Sequence, residues 1–174
     1  MLDVSRHRDI FDPEKFGNKR VDIIGCGATG SKIIIQLAKL GVQNIHVWDF
    51  DKVEEHNLPN QEFGLKHIGK LKAEAIKEIV KDLTGQDITA HCERVVDQPL
   101  GNIVYLLTDT MASRKEIYDN CIKYKPQVEL FIETRMGVDS GRVYTIEPID
   151  TTQVKGWVNT LYSDEEAEVS ACGS

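Results

Sequence analysis

No apolar run in this sequence approaches the roughly 20 residues that a membrane-spanning helix requires, so a bilayer span is not expected. The opening residues, Met1-Leu2-Asp3-Val4-Ser5-Arg6-His7-Arg8, lack the apolar stretch of a secretory signal, and the cytoplasm is the expected compartment. Cysteine is sparse. The four present, Cys26, Cys92, Cys121 and Cys172, form no CxxC pair and no His/Cys cluster at zinc-ligand spacing, so neither a disulfide scaffold nor a zinc site is implied. Cys92 and Cys121 fall in apolar periodic segments and are expected to pack in the core. Basic residues are in deficit: 21 Lys and Arg against 28 Asp and Glu leave a formal charge of −7, the wrong sign for tracking nucleic-acid phosphates. Repeats and low-complexity tracts are absent as well, which excludes solenoids and arrays.

What is present is a globular composition, 41% hydrophobic and 28% charged, in 174 residues, enough for one domain that buries about two-thirds of its unfolded surface. Short β-like runs alternate with helical periodicity. Strands are predicted over 21–24, 45–48, 88–95, 103–107 and 128–134, and helices over 31–40, 71–83 and 113–124. Such alternation implies parallel pairing through right-handed crossovers, hence an α/β, doubly wound sheet of Rossmann type. Arg142 to Ile146 follow the turn-rich Gly137-Val138-Asp139-Ser140-Gly141 and are predicted to add an antiparallel hairpin strand. Regularity fades after Pro148. The end at Ala171-Cys172-Gly173-Ser174 carries no closing element, and a longer natural chain is expected.

Gly25-Cys26-Gly27-Ala28-Thr29-Gly30 follows the first strand directly and opens a helix, which is the context that makes a GxGxxG pattern a phosphate loop. Gly25 suits the tight turn, Gly27 a close approach of backbone to phosphate, and Gly30 close packing of helix on strand. The free N–H groups and dipole of that helix start favour an anion. Asp49 closes the second strand, and an acidic residue roughly 20 positions past the glycines is where ribose hydroxyls find an acceptor. To this point NAD and ATP serve equally well. The next segments are less suited to hydride transfer: the long polar loop from Asp51 through Glu54, His56, Asn57 and Asn60 to Gln61, followed by Gly69-Lys70-Leu71-Lys72-Ala73. His56 reads as a loop residue without a catalytic role.

These residues resemble the ThiF/MoeB/HesA family of ubiquitin-activating-enzyme-like adenylyltransferases, in which the glycine loop is followed by D-x-D, N-L-x-R-Q and G-x-x-K-A. The resemblance covers nearly the whole chain, from Arg6 to Cys172. It implies that Gly25, Gly27, Ala28, Thr29, Gly30, Asp49, Asp51, Asn57, Asn60, Gln61, Lys72 and Thr110 bind nucleotide. It further implies that Lys72 meets phosphate and that Asp109, within Thr108-Asp109-Thr110, holds Mg²⁺, with Arg114 matching an arginine shortly after. Arg8 matches an arginine that the family supplies to a neighbouring subunit's nucleotide, so a homodimer is implied. Residues 1–174 then form a single adenylation domain, with 1–20 as an N-terminal arm and 151–174 starting a crossover loop in which Cys172 falls at the acceptor-cysteine position.

Three departures stand out. Asn60 replaces the family's catalytic arginine, Thr110 replaces the asparagine of T-D-N, and the zinc-binding cysteine pair is missing, with Trp157 and Thr160 near its places; no zinc is expected. The function implied is ATP·Mg-dependent adenylation of the C-terminal glycine carboxylate of a small ubiquitin-like or sulfur-carrier protein, with no nucleic-acid or membrane partner. Two alternatives stay open: a non-catalytic, nucleotide-binding subunit of an activating complex, motivated by Asn60, and an NAD(P)-dependent oxidoreductase, which leaves Asn57, Gln61, Lys72 and Asp109 without roles. For Asp109 the bland reading is a helix cap, and for Lys72 a solvated surface lysine.

Overall fold

The computed structural model describes residues 3, 5–137 and 139–166. A short arm carries helix α1 (Pro13–Phe16), capped by the Asp12 carboxylate accepting from the Glu14 N–H. The chain then alternates β1 (Val21–Ile24), α2 (Ala28–Leu40), β2 (Ile45–Trp48), α3 (Lys72–Thr84), β3 (Thr89–His91), β4 (Ile103–Leu106), α4 (Met111–Ile117), β5 (Leu130–Met136), β6 (Gly141–Ile146) and α5 (Thr151–Val158). The six strands form one sheet in the order β3-β2-β1-β4-β5-β6, parallel except for β6, which runs antiparallel to β5. This is the expected doubly wound sheet with its added hairpin strand. Chain order reverses between β1 and β4, and ligands of open α/β sheets bind in the crevice beyond the carboxyl ends at such a point.

Alternate side chains of the parallel strands feed two cores, as a sheet covered on both faces requires. Val21, Ile23, Ile45 and Val47 meet Ile34, Ile35, Ala75, Ile76 and Val80 of α2 and α3 on one face. Ile24, Trp48, Val104, Leu106 and Phe131 meet Ile117, Cys121, Ile122 and Trp157 on the other.

Five local expectations change. The helix expected from Ser31 begins at Ala28, with Gly27 as its N-cap and Gly30 in its first turn. In α3, Ile76, Val80 and Thr84 form the buried ridge at four-residue spacing, and Leu83, expected inside, is 50% exposed. The third strand stops at His91, so Cys92 lies past the edge of the sheet and is exposed rather than packed, whereas Cys121 is buried as expected. The segment after Pro148 is not irregular: Asp150 accepts from the N–H groups of Thr152 and Gln153 at 2.8 and 3.2 Å and starts α5, which buries Trp157. Thr151, Thr152 and Gly156 are poor helix formers, which masked that helix, but the Asp cap was a usable signal. The helix expected over 113–124 is α4 from Met111, continued by a π-helical turn, Tyr118–Ile122.

Candidate active site

The loop leaving β1 turns where β1 meets both neighbours. The Gly25 N–H donates to the Trp48 carbonyl at 2.9 Å; its φ is +102°, and a Cβ there would stand 2.8 Å from the Leu107 carbonyl oxygen. Only glycine meets both demands. A Cβ on Gly30 would fall 1.9 Å from the Gly25 carbonyl oxygen, so the first turn of α2 is pressed onto the loop itself. Gly27 differs. It is the N-cap of α2, no side chain caps the helix, and a Cβ there would meet nothing within 4 Å. The first N–H closing a helical turn is that of Ser31, to the Gly27 carbonyl at 2.9 Å; those of Ala28, Thr29 and Gly30 precede it and are open to an anion. Cys26 between the glycines points into the core.

Asp49, buried at 9% exposure, grips this loop: its carboxylate accepts from the Cys26 N–H at 2.7 Å and from the Asp51 N–H at 2.9 Å. Burial pushes its carboxyl above the ordinary range, against the pull of those two donors and of Lys72. Lys72 is the first residue of α3, and its ammonium is buried 3.4 Å from the Asp51 carboxylate. It is therefore not a solvated surface lysine. The polar loop folds on itself, with the Asn57 side-chain oxygen accepting from the Glu54 N–H at 2.9 Å and Asn57 buried. Asp51, Lys52, Glu54, His56, Asn57 and Lys72 line a cleft of about 220 Å³. His56 is thus a wall of the cleft.

Asn60 and Gln61 both donate their backbone N–H to the Asn57 carbonyl, at 3.3 and 2.9 Å. Their side-chain oxygens, Oδ1 and Oε1, are buried without partners. Two bonds strap this stretch to α2: the Glu62 N–H to Ser31 Oγ at 3.2 Å, and the Lys32 ammonium to the Asn60 carbonyl at 2.7 Å. A larger depression, about 440 Å³, lies on α3 among Lys66, Lys77, Asp82 and Asp87, whose charges already pair with one another. None of its lining residues belongs to the glycine loop.

On the other side of β1, Thr110 caps α4 by accepting from the Ser113 N–H at 3.2 Å, so the capping role open to Asp109 belongs to its neighbour. Asp109 is exposed. Arg114 faces inward, 3.2 Å from Glu133, with bonds to the Thr108 carbonyl and, at 3.1 Å, the Thr134 carbonyl. Glu133 is wholly buried and also binds Arg135 and Trp157 Nε1, each at 3.0 Å, while Arg135 reaches the Thr160 carbonyl at 2.6 Å. The Asp164 carboxylate accepts from the Met111 and Ala112 N–H groups at 2.5 and 3.1 Å. The chain beyond α5 is thereby fastened to the loop bearing Asp109. None of Glu133, Arg135 or Asp164 was singled out from sequence, since each acts across long separations.

The expected residues are thus brought together unequally. Gly25, Gly27, Ala28, Thr29, Gly30, Asp49 and Asp51 sit past the carboxyl ends of β1 and β2, Asn57, Asn60 and Gln61 on the loop strapped to α2, and Lys72 at the start of α3. Asp109 and Thr110 follow β4, the other neighbour of β1. Arg8 pairs with Glu14 within the arm. Cys172 lies outside the described residues.

The sequence model of the ThiF family matches residues 8–172. The chain belongs to the ThiF family. Two curated relatives are the NEDD8-activating enzyme E1 catalytic subunit of Arabidopsis thaliana, 34% identical over 56% of this chain and 23% of that protein, and the probable adenylyltransferase/sulfurtransferase MoeZ of Mycobacterium tuberculosis, 35% identical over 44% and 21%. The fold is shared with E. coli MccB, in its crystal structure with AMPCPP and MccA, at a TM-score of 0.66, 18% identity, and coverage of 90% of this chain and 50% of that one. The chain spans under a quarter of the two curated ThiF relatives and half of the MccB chain.

Proposed function

We propose that this chain is the nucleotide site of an ATP-dependent activating enzyme, which adenylates the C-terminal glycine carboxylate of a small ubiquitin-like or sulfur-carrier protein. The observation that carries this reading is the buried ammonium of Lys72 beside Asp51, whose N–H is held by the same Asp49 carboxylate that accepts from Cys26 in the glycine loop. A cation held out of water next to free helical N–H groups suits a polyphosphate. Membership of the ThiF family supports the same reading, as do the activities named for the E1 subunit and MoeZ and the AMPCPP and MccA held by MccB.

In the reaction, an oxygen of the carrier's carboxylate attacks the α-phosphorus of ATP, the bond to the bridging oxygen breaks, and pyrophosphate leaves with that electron pair. The attacking carboxylate is ionised at neutral pH, so no side-chain base is needed. Catalysis then rests on alignment and on neutralising charge that moves to the leaving group. The N–H groups of Ala28, Thr29 and Gly30 hold phosphate, Lys72 supplies positive charge, and Asp49 keeps the loop in place while its remaining lone pairs face ribose hydroxyls. Asp109, an exposed carboxylate at the crevice, fits a magnesium ion that also binds substrate phosphates, because such ions use one or two carboxylates and keep oxygen ligands otherwise. Bound there, Mg²⁺ would offset developing phosphate charge. Arg8 contributes across a homodimer interface in this reading, after leaving Glu14, and the setting is cytoplasmic.

The test is ATP–pyrophosphate exchange by the full-length protein with a carrier ending in Gly-Gly, preceded by calorimetric titration with ATP·Mg and with NAD. Exchange that needs the carrier and is lost in Lys72→Met supports the reading; tight NAD binding without ATP binding overturns it. A second reading has its own observation, Asn60 in place of a cation. A non-catalytic subunit would bind ATP·Mg and show no exchange, and Asn60→Arg would restore it.

A further inference from the structure

Among the described residues on the glycine-loop side of the site, the buried cation is Lys72, and it is already faced by Asp51. A second ammonium stands beside the open helix start. Lys32 lies in the second turn of α2, about 6 Å along the axis from Ala28 at 1.5 Å per residue. Helical side chains lean toward the N-terminus and cover the preceding turn, so the four-carbon stem of Lys32 carries its charge back to the level of the first turn. Its contacts agree with that path: Nζ donates to the Asn60 carbonyl at 2.7 Å and lies 3.2 Å from the Glu62 carboxylate. Asn60 and Gln61, beside those contacts, are half-buried, and their side-chain oxygens are buried without a donor. Neither Lys32 contact is buried, and with 53% of its side chain exposed Lys32 is free to swing.

We propose that Lys32 is a phosphate-contacting residue of this site: it leaves Glu62 when nucleotide binds and places its ammonium on the β,γ-phosphates. The proposal rests on the nucleotide reading given above. Glu62 is then the counter-ion that Lys32 exchanges for phosphate, holding the lysine in reach and sparing the helix start an uncompensated charge. The swing costs little, because an exposed ion pair is weak, whereas a contact to a doubly charged phosphate beside free helical N–H groups is strengthened by all of them. The amides of Asn60 and Gln61 can add to this: with their N–H₂ ends turned toward phosphate they donate neutral hydrogen bonds. The cation that Asn60 does not carry is supplied from the facing helix.

Lys32→Met keeps the length of the stem and removes the charge. Calorimetry with ATP·Mg and with AMP reads the effect separately on the β,γ-phosphates and on the rest of the nucleotide, and thermal melting reports the fold. We expect ATP·Mg affinity to fall about tenfold to a hundredfold, the loss of a charge-assisted hydrogen bond, with AMP affinity and melting unchanged. Glu62→Gln should raise ATP·Mg affinity, and adding Asn60→Arg to Lys32→Met should recover most of the loss. If wild type binds ATP·Mg and Lys32→Met binds it equally well, the proposal is overturned. Equal losses for ATP and AMP overturn it too, since Lys32 would then act only as a strap on the loop. Failure of the wild type to bind ATP·Mg refutes the nucleotide reading itself, whatever the variants do.

Discussion

Asp49 and Cys26, at the ends of neighbouring strands, are joined by a 2.7 Å bond from the Cys26 N–H to the Asp49 carboxylate. An acidic residue at the end of β2 therefore has a structural duty toward the phosphate loop as well as an expected one toward ribose. Because its other oxygen accepts from the Asp51 N–H, both halves of the carboxylate are in use.

Asp49→Asn should accordingly destabilise the fold as well as weaken nucleotide binding. An amide has one acceptor oxygen, so one buried N–H loses its partner at a cost of about 1–3 kcal/mol. Urea denaturation measures the first effect and calorimetry with ATP·Mg the second. Weakened binding at unchanged stability would mean that the ribose duty stands alone.

Two glycines of one motif should fail in different ways. Gly30→Ala forces a Cβ to 1.9 Å from a backbone oxygen and should lower the melting temperature markedly. Gly27→Ala meets open space and should melt like wild type, yet bind ATP·Mg more weakly because its Cβ enters the volume assigned to phosphate. Normal affinity in Gly27→Ala would move the phosphates elsewhere.

The buried group of Arg114, Glu133 and Arg135 should behave as a unit. Glu133→Ala leaves two guanidinium groups, 7% and 8% exposed, without their shared carboxylate, and should cost about 3–5 kcal/mol by urea denaturation. Since Arg135 also holds Thr160 and Arg114 holds the Thr108 carbonyl, faster proteolysis of the segment after α5 should accompany the loss. A neutral Glu133→Ala would show that the three charges contribute little to holding β5, α4 and α5 together.

Stability should decline in mild acid. Burial, assisted by Arg20 for His46 and His91 and by Lys66 for His67, holds all three below the usual histidine value of 6.5. The unfolded chain therefore takes up protons first, and the stability present above pH 6.5 falls as the pH drops toward the folded-state values. His67 adds a structural reason, because its Nδ1 accepts the Gly64 N–H at 2.9 Å and cannot do so once protonated. Urea midpoints at pH 7.5 and 5.5 should differ in wild type and converge in a His46→Gln/His91→Gln/His67→Asn variant. An equal pH slope in that variant would assign the loss to other groups.

Sequence alone determined what is local in the chain. The period-two and period-3.6 patterns specified an alternating α/β chain and hence the parallel sheet, and Gly25 and Gly30 were legible because the turn they serve closes within six residues. Asp49 and Lys72 were likewise legible as positions, through their spacing from that turn. Tertiary structure decided what those positions touch. Parallel pairing of β1 with β2 aims the Asp49 carboxylate at the Cys26 N–H, and the packing of α4 and α5 on one face gathers Arg114, Glu133, Arg135 and Trp157. Lys32 reads in the sequence as one more exposed helical lysine. Only the folding of residues 54–63 back onto α2 sets its ammonium against Asn60, because a contact between groups 28 residues apart depends on how the intervening chain closes and leaves no periodic trace.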